Sequence, residues 1–83
     1  MKKDELTEND IRNIHILIGK NVKKMRVKKK MTQLQLSCSI GHSAVGTISM
    51  CEIHLNDKHF NIEHLFRIAN ALDCNVIDFL KDI

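Results

Sequence analysis

The sequence predicts an all-α fold, a compact bundle of five helices, on three observations. Proline is absent and glycine occurs only three times in 83 residues, so little in the chain interrupts a helix. Apolar residues recur at spacings of three and four through most of the length, the period of one helix face. Aromatic residues are limited to Phe60, Phe66 and Phe79, which gives no support to a many-turned β-sandwich. A chain this short builds one hydrophobic core, and its 43% apolar and 28% charged residues are ordinary globular proportions.

Ile11, Ile14, Ile18, Val22 and Met25 share one face of a first helix, with Lys and Arg filling the other face from Lys20 onward. Thr7, followed three positions later by Asp10, is a weaker relative of the capping box at its start. Gly19 lowers helix propensity in the middle, so residues 1–15 are an N-terminal arm or the start of helix one, and residues 16–83 form the domain proper. Thr32 with Gln35 has the true capping-box spacing, and Leu36 and Ile40 follow one turn apart, which places a second helix over residues 32–40. Gly41 stands where a left-handed residue would stop it. Ser43 or Ala44 opens a short third helix with Ile48 and Cys51 inward, ending near the His54 to His59 stretch. Asn61 caps a fourth helix whose inward stripe reads Ile62, Leu65, Phe66, Ala69 and Leu72, with Phe60 outside the cap packing on Leu65 as a hydrophobic staple. Asn75 caps a fifth, which holds Val76, Ile77, Phe79 and Leu80.

The net charge of +3 understates a local asymmetry. Lys20, Lys23, Lys24, Arg26, Lys28, Lys29 and Lys30 fall within eleven positions with no acid among them, whereas the chain after Met31 holds six acids and three bases. Such a cluster on a small domain suits a polyanionic partner, although a solvated helix face explains it equally well until a motif stands beside it. No apolar run approaches the ~20 residues of a membrane span, and the start runs into charge instead of a signal-peptide core, so a cytosolic protein with no membrane partner is expected. Cys38, Cys51 and Cys74 are odd in number and sit among apolar neighbours, as reduced thiols acting as small hydrophobes.

The second helix, the glycine turn and the third helix form a helix-turn-helix, an arrangement whose second helix lies in the DNA major groove while the first crosses the backbone. The series Ile18-Gly19-Lys20-Asn21-Val22, Arg26, Met31-Thr32-Gln33, Leu36, Gly41, Ile48-Ser49, Glu52 and Leu65-Phe66-Arg67-Ile68-Ala69-Asn70-Ala71-Leu72 runs through about three quarters of the chain. In that order and at nearly those gaps it resembles the DNA-binding domain of phage repressor and Cro-like regulators, the Xre-type helix-turn-helix family with its lambda-repressor-like fold. The spacing from Thr32 to Glu52 is one residue longer than the family's commonest, an insertion placed in the turn at 41–44. His42 stands where the family usually has an apolar residue, and Ser37 replaces a usual Ala.

The resemblance implies roles. Thr32 and Gln33, at the start of helix two, would hold a DNA phosphate with side chains and exposed N–H groups, joined by Ser43 and by Asn56 and Lys58 in the loop after helix three. Arg26 and Glu52 match the pair that ties helix one to the end of helix three. Base reading would fall to Ala44, Val45, Gly46, Thr47, Ser49 and Met50. None of the strong bidentate readers, Arg, Asn or Gln, occurs there, so modest specificity with a share of shape readout is expected. Gly46 makes helix three soft until DNA orders it.

A metal site at Cys51, His54, His59 and His64 has poor spacing, and neither a metal nor any cofactor is expected. The histidines, His15 and His42 included, read as loop and surface groups, some of them near phosphates, which would raise DNA affinity mildly below about pH 6.5. No phosphate loop, activated nucleophile or carboxylate pair is present, so an enzyme is not expected. The expectation is a DNA-binding transcriptional regulator, a repressor, acting on double-stranded DNA as a homodimer whose two half-sites lie about 34 Å apart. The dimer surface would involve Phe79, Leu80 and Ile83, or Leu6 and Ile11. With no effector domain after Ile83, regulation would come from occlusion, a partner or concentration. The rival reading is a helical protein-binding module, such as an antitoxin or accessory regulator, with a protein as main partner.

Overall fold

Thr7 starts the first helix. Its Oγ1 accepts a hydrogen bond from the Asp10 N–H at 3.1 Å, while Asp10 Oδ2 accepts from the Thr7 N–H at 3.0 Å, so the Thr-Asp spacing works as a full capping box. The computed structural model describes residues 5–41 and 45–83. Helix α1, Glu8–Lys28, runs without interruption, which makes residues 8–15 its first turns. Gly19 lies inside it for a packing reason. A Cβ there would stand 2.6 Å from the Cys51 carbonyl oxygen and 2.8 Å from that of Glu52. Glycine therefore permits a close crossing of α1 and the third helix, at about 1 kcal/mol of helix propensity.

Helix α2, Gln33–Ser39, opens on the Thr32–Gln35 box, and Gly41 follows with φ of +85°, the left-handed stop that its position implies. Helix α3 is Val45–Glu52, with Ile48, Cys51 and Glu52 buried. The proposed openers Ser43 and Ala44, with His42, lie outside the described residues. A 3-10 turn, Leu55–Asp57, leads to α4, Ile62–Leu72, where His64 takes the place of the usual Glu or Gln in a capping box with Asn61.

The inward stripe of α4 differs from the expected one. Leu65, Ile68, Ala69 and Leu72 are buried, whereas Ile62 and Phe66 are 71% and 60% exposed. Both stripes satisfy the helical period; the one adopted is turned so that Ile68 fills the core, and Phe60 is buried beside Leu65 in the same cluster. The expected fifth helix is a 3-10 segment, Val76–Leu80, so the described residues form four α-helices and this closing piece, with no strand. Five residues led by β-branched Val76 and Ile77 are too short and too stiff to hold an α-helix without packing. Tertiary contacts hold them instead: Phe79 is fully buried, and the Asn21 amide donates to the Phe79 and Lys81 carbonyls at 2.9 and 3.0 Å.

Val22, Leu36, Ile48, Ile68 and Phe79, one from each α-helix and one from the closing 3-10 segment, have no exposed surface and meet in one core. Ser37 is also fully buried, a small residue where α2 crosses its neighbours. The thiols are free; Cys51 is buried, Cys74 half-buried, and Cys38 is exposed instead of packed as a small hydrophobe. No helix among the described residues is long and apolar enough to cross a membrane.

Candidate nucleic-acid interface

Three polar side chains meet where α1, α2 and α3 converge. Arg26 Nε donates to Glu52 Oε2 at 2.7 Å and Nη2 to Oε1 at 3.1 Å, a two-pronged pair between a residue 8% exposed and one 1% exposed. Nη1 of the same guanidinium donates to the Met31 carbonyl at 2.8 Å. Gln33 Nε2 adds a third donor to the carboxylate, at 2.9 Å from Oε1. The planar fork of Arg26 thus fixes the end of α3 to α1, and Gln33 fixes the start of α2 to the same acid. The Arg26–Glu52 contact matches its expected place. The third member does not follow from the sequence reading, which gave Gln33 to phosphate alone.

Thr32 is exposed and Gln33 half-buried at the α2 start. The capping box uses the N–H groups of Thr32 and Gln35, and the first-turn N–H groups of Gln33 and Leu34 point along the helix axis, as at any helix beginning. On α3, Val45 is exposed, and Gly46, Thr47, Ser49 and Met50 are half-buried. Counting about 100° per residue from buried Ile48 puts Gly46 and Met50 on the outer side, with Thr47 and Ser49 on opposite flanks. The Ser49 hydroxyl donates back to the Gly46 carbonyl at 3.1 Å, so its proton is already used. Thr47 and Met50 line a groove with Cys51, Lys58, His59 and His64. Of the expected phosphate and base contacts, Ser43 and Ala44 lie outside the described residues.

The loop carrying Asn56 and Lys58 exposes both, Asn56 with φ of +53° between His54 at +56° and Asp57 at +60°. These left-handed backbones are uncommon for side chains other than glycine and are held by contacts. One such contact is missing from the sequence reading. His54 and His59 gather against His15 of α1, where His15 and His59 stack with centroids 3.8 Å apart. The available signal is the position of His15, four residues after Ile11 and three before Ile18 on the apolar face of α1. Burial, followed by the nearby His59 and His54 rings, pulls the His15 pKa below its ordinary value. Burial pushes the Cys51 thiol up, with Lys58 opposing, so it is a packed neutral group. No three His, Cys, Asp or Glu among the described residues are arranged to hold a metal ion.

The basic cluster divides in space. Arg26 is withdrawn into its ion pair, and the six lysines remain exposed. Lys24 and Lys28 line a groove with Asp78, Lys81 and Asp82, and the Lys29 ammonium donates to the Asp73 carbonyl at 3.4 Å, so part of the cluster faces acids of the C-terminal segment. Lys23 lies about 40° around the helix from Gly19, on the side that meets α3. Comparison with known proteins adds no assignment: no protein-family model matches the sequence, and no curated protein matches it.

Proposed function

We propose that this chain is a DNA-binding transcriptional regulator, a repressor of the phage repressor/Cro-like, Xre-type kind, in which α2 and α3 act as a helix-turn-helix. In this reading α3 enters the major groove of double-stranded DNA with Val45, Gly46, Thr47, Ser49 and Met50 toward the bases, and Thr32, Gln33, Asn56 and Lys58 hold phosphates on either side. The observation that carries it is the Arg26–Glu52–Gln33 network, which locks the end of α3 and the start of α2 into one rigid unit. Gln33 keeps its amide oxygen and a second N–H for other partners while Glu52 holds the side chain in place.

A homodimer supplies the buried area that one small domain lacks. Phe79 is excluded from its surface by full burial, which leaves Leu80, Ile83, Leu6 and Ile11, all partly exposed. Fluorescence anisotropy of a duplex at two salt concentrations tests the reading: affinity should fall by about 0.9 log unit per phosphate contact for each tenfold rise in salt. No binding at low salt, or a flat salt response, would overturn it. The second reading, a module whose main ligand is a protein, is favoured by the exposed pair Ile62 and Phe66 on α4 and by the absence of strong base-reading side chains on α3.

A further inference from the structure

Three imidazoles, His15 of α1 and His54 and His59 of the loop after α3, close the junction between that helix and that loop. His15 and His59 stack at 3.8 Å with planes 21° apart, and His54 lies 6.2 Å from His15 and 6.1 Å from His59 with its plane within 22° of both. His15 Nδ1 is buried and has no hydrogen-bond partner. Nothing in this packing rewards a second N–H on that ring, since a buried donor needs an acceptor. We propose that the His15–His59–His54 stack is a proton-operated latch, fastening the loop to α1 while its imidazoles are neutral and releasing it when they are protonated.

The surroundings of His15 oppose its protonation, whereas His59 Nδ1 lies 3.0 Å from the Asp57 carbonyl oxygen, an acceptor for its N–H. Lys58 of the loop, Cys51 of α3 and His64 of α4 line the groove beside His59, and Arg12 stands exposed one turn before His15 on α1. The neighbouring carboxylate is Asp57, 82% exposed and 4.0 Å from His54 Nδ1, so it steadies a charge on His54 more than one on His15. A charge on His59 or His54 repels a proton on His15, which both rings face. The sign follows from linkage: His15 titrates lower folded than unfolded, so the closed form is fully favoured above pH about 6.5 and loses ground as pH falls toward the lowered value. Asn56 and Lys58 ride on the loop, so on the DNA reading an open latch would loosen one phosphate-contacting region; the latch itself does not depend on that reading.

An NMR titration of the histidine rings in the full chain, with amide exchange of His54 and Lys58 corrected for intrinsic rates, tests this. His15 should titrate below 6.5, and protection in the loop should drop on going from pH 7.5 to pH 5.5, by at most about tenfold because pH 5.5 lies only one unit below the unfolded value. His15→Phe keeps a stacking ring without a titrating nitrogen, and protection should then stay level with pH. If that variant does not fold, His15→Leu, which also lacks a titrating nitrogen, serves the same purpose. Normal titration of His15 with unchanged loop protection, or a pH response that persists in the folded Phe or Leu variant, would overturn the latch.

Discussion

Glu52 accepts from both Arg26 and Gln33, and its side chain has no exposed surface. Glu52→Ala would leave a guanidinium buried without its partner, at a cost of about 3–5 kcal/mol in urea unfolding. Gln33→Ala removes one bond to a charged group, about 1–2 kcal/mol, and should weaken DNA binding across sequences without changing preference between them. Asp10, with its carboxylate held below the ordinary 3.8 first by the Thr7 N–H and then by the Thr7 hydroxyl, helps the start of α1 above that pH and loses the effect as pH falls through its lowered value. Amide exchange at Thr7 and Asp10 should show the fraying. The Thr7 and Thr32 caps were legible because each joins residues three apart, and the Asn61 cap was legible from its residue type, without its partner His64. The histidine stack was not, since His15 and His59 lie far apart in sequence and imidazole on an apolar stripe has several possible fates. The earlier expectation of surface histidines that raise DNA affinity at low pH gives way, for His15, to a ring whose protonation is opposed.

At the scale of elements, the two helical glycines make opposite predictions. Gly19→Ala drives a methyl group into the Cys51 and Glu52 carbonyls, so it should destabilise by about 1–3 kcal/mol or more despite alanine's higher propensity. Gly46→Ala meets nothing within 4 Å and should stabilise the free protein by up to about 1 kcal/mol, visible as a raised thermal midpoint. The four α-helices and their order were legible from period and caps. The rotation of α4 was not, because Ile62, Leu65, Phe66 and Ile68, Ala69, Leu72 offer two overlapping stripes and only the packing of the whole core chooses between them. The α-helical form of the last segment was overcalled for a similar reason: capping chemistry marks where a turn begins, while chain length and tertiary contacts set how far it continues.

For the whole molecule, the basic cluster that is one run in the sequence, Lys20 to Lys30, is apportioned by the fold. Arg26 goes to the interior, Lys24 and Lys28 toward Asp78 and Asp82, and Lys23 to the side that meets α3. Reversing the charge of Lys23 should therefore weaken duplex binding more than reversing Lys28, as measured by anisotropy at low salt. The Arg26–Glu52 pair links residues 26 apart and was legible only through a resemblance, and the Gln33 member of its network was not legible at all. The most direct measurement is amide chemical-shift mapping of the chain with a duplex from a selected pool. The proposed docking predicts changes gathered at residues 32–33, 45–50 and 56–58, with the outer face of α4 at Ile62 and Phe66 unmoved. Changes centred on Ile62 and Phe66, or none beyond those of a matched salt control, would contradict it.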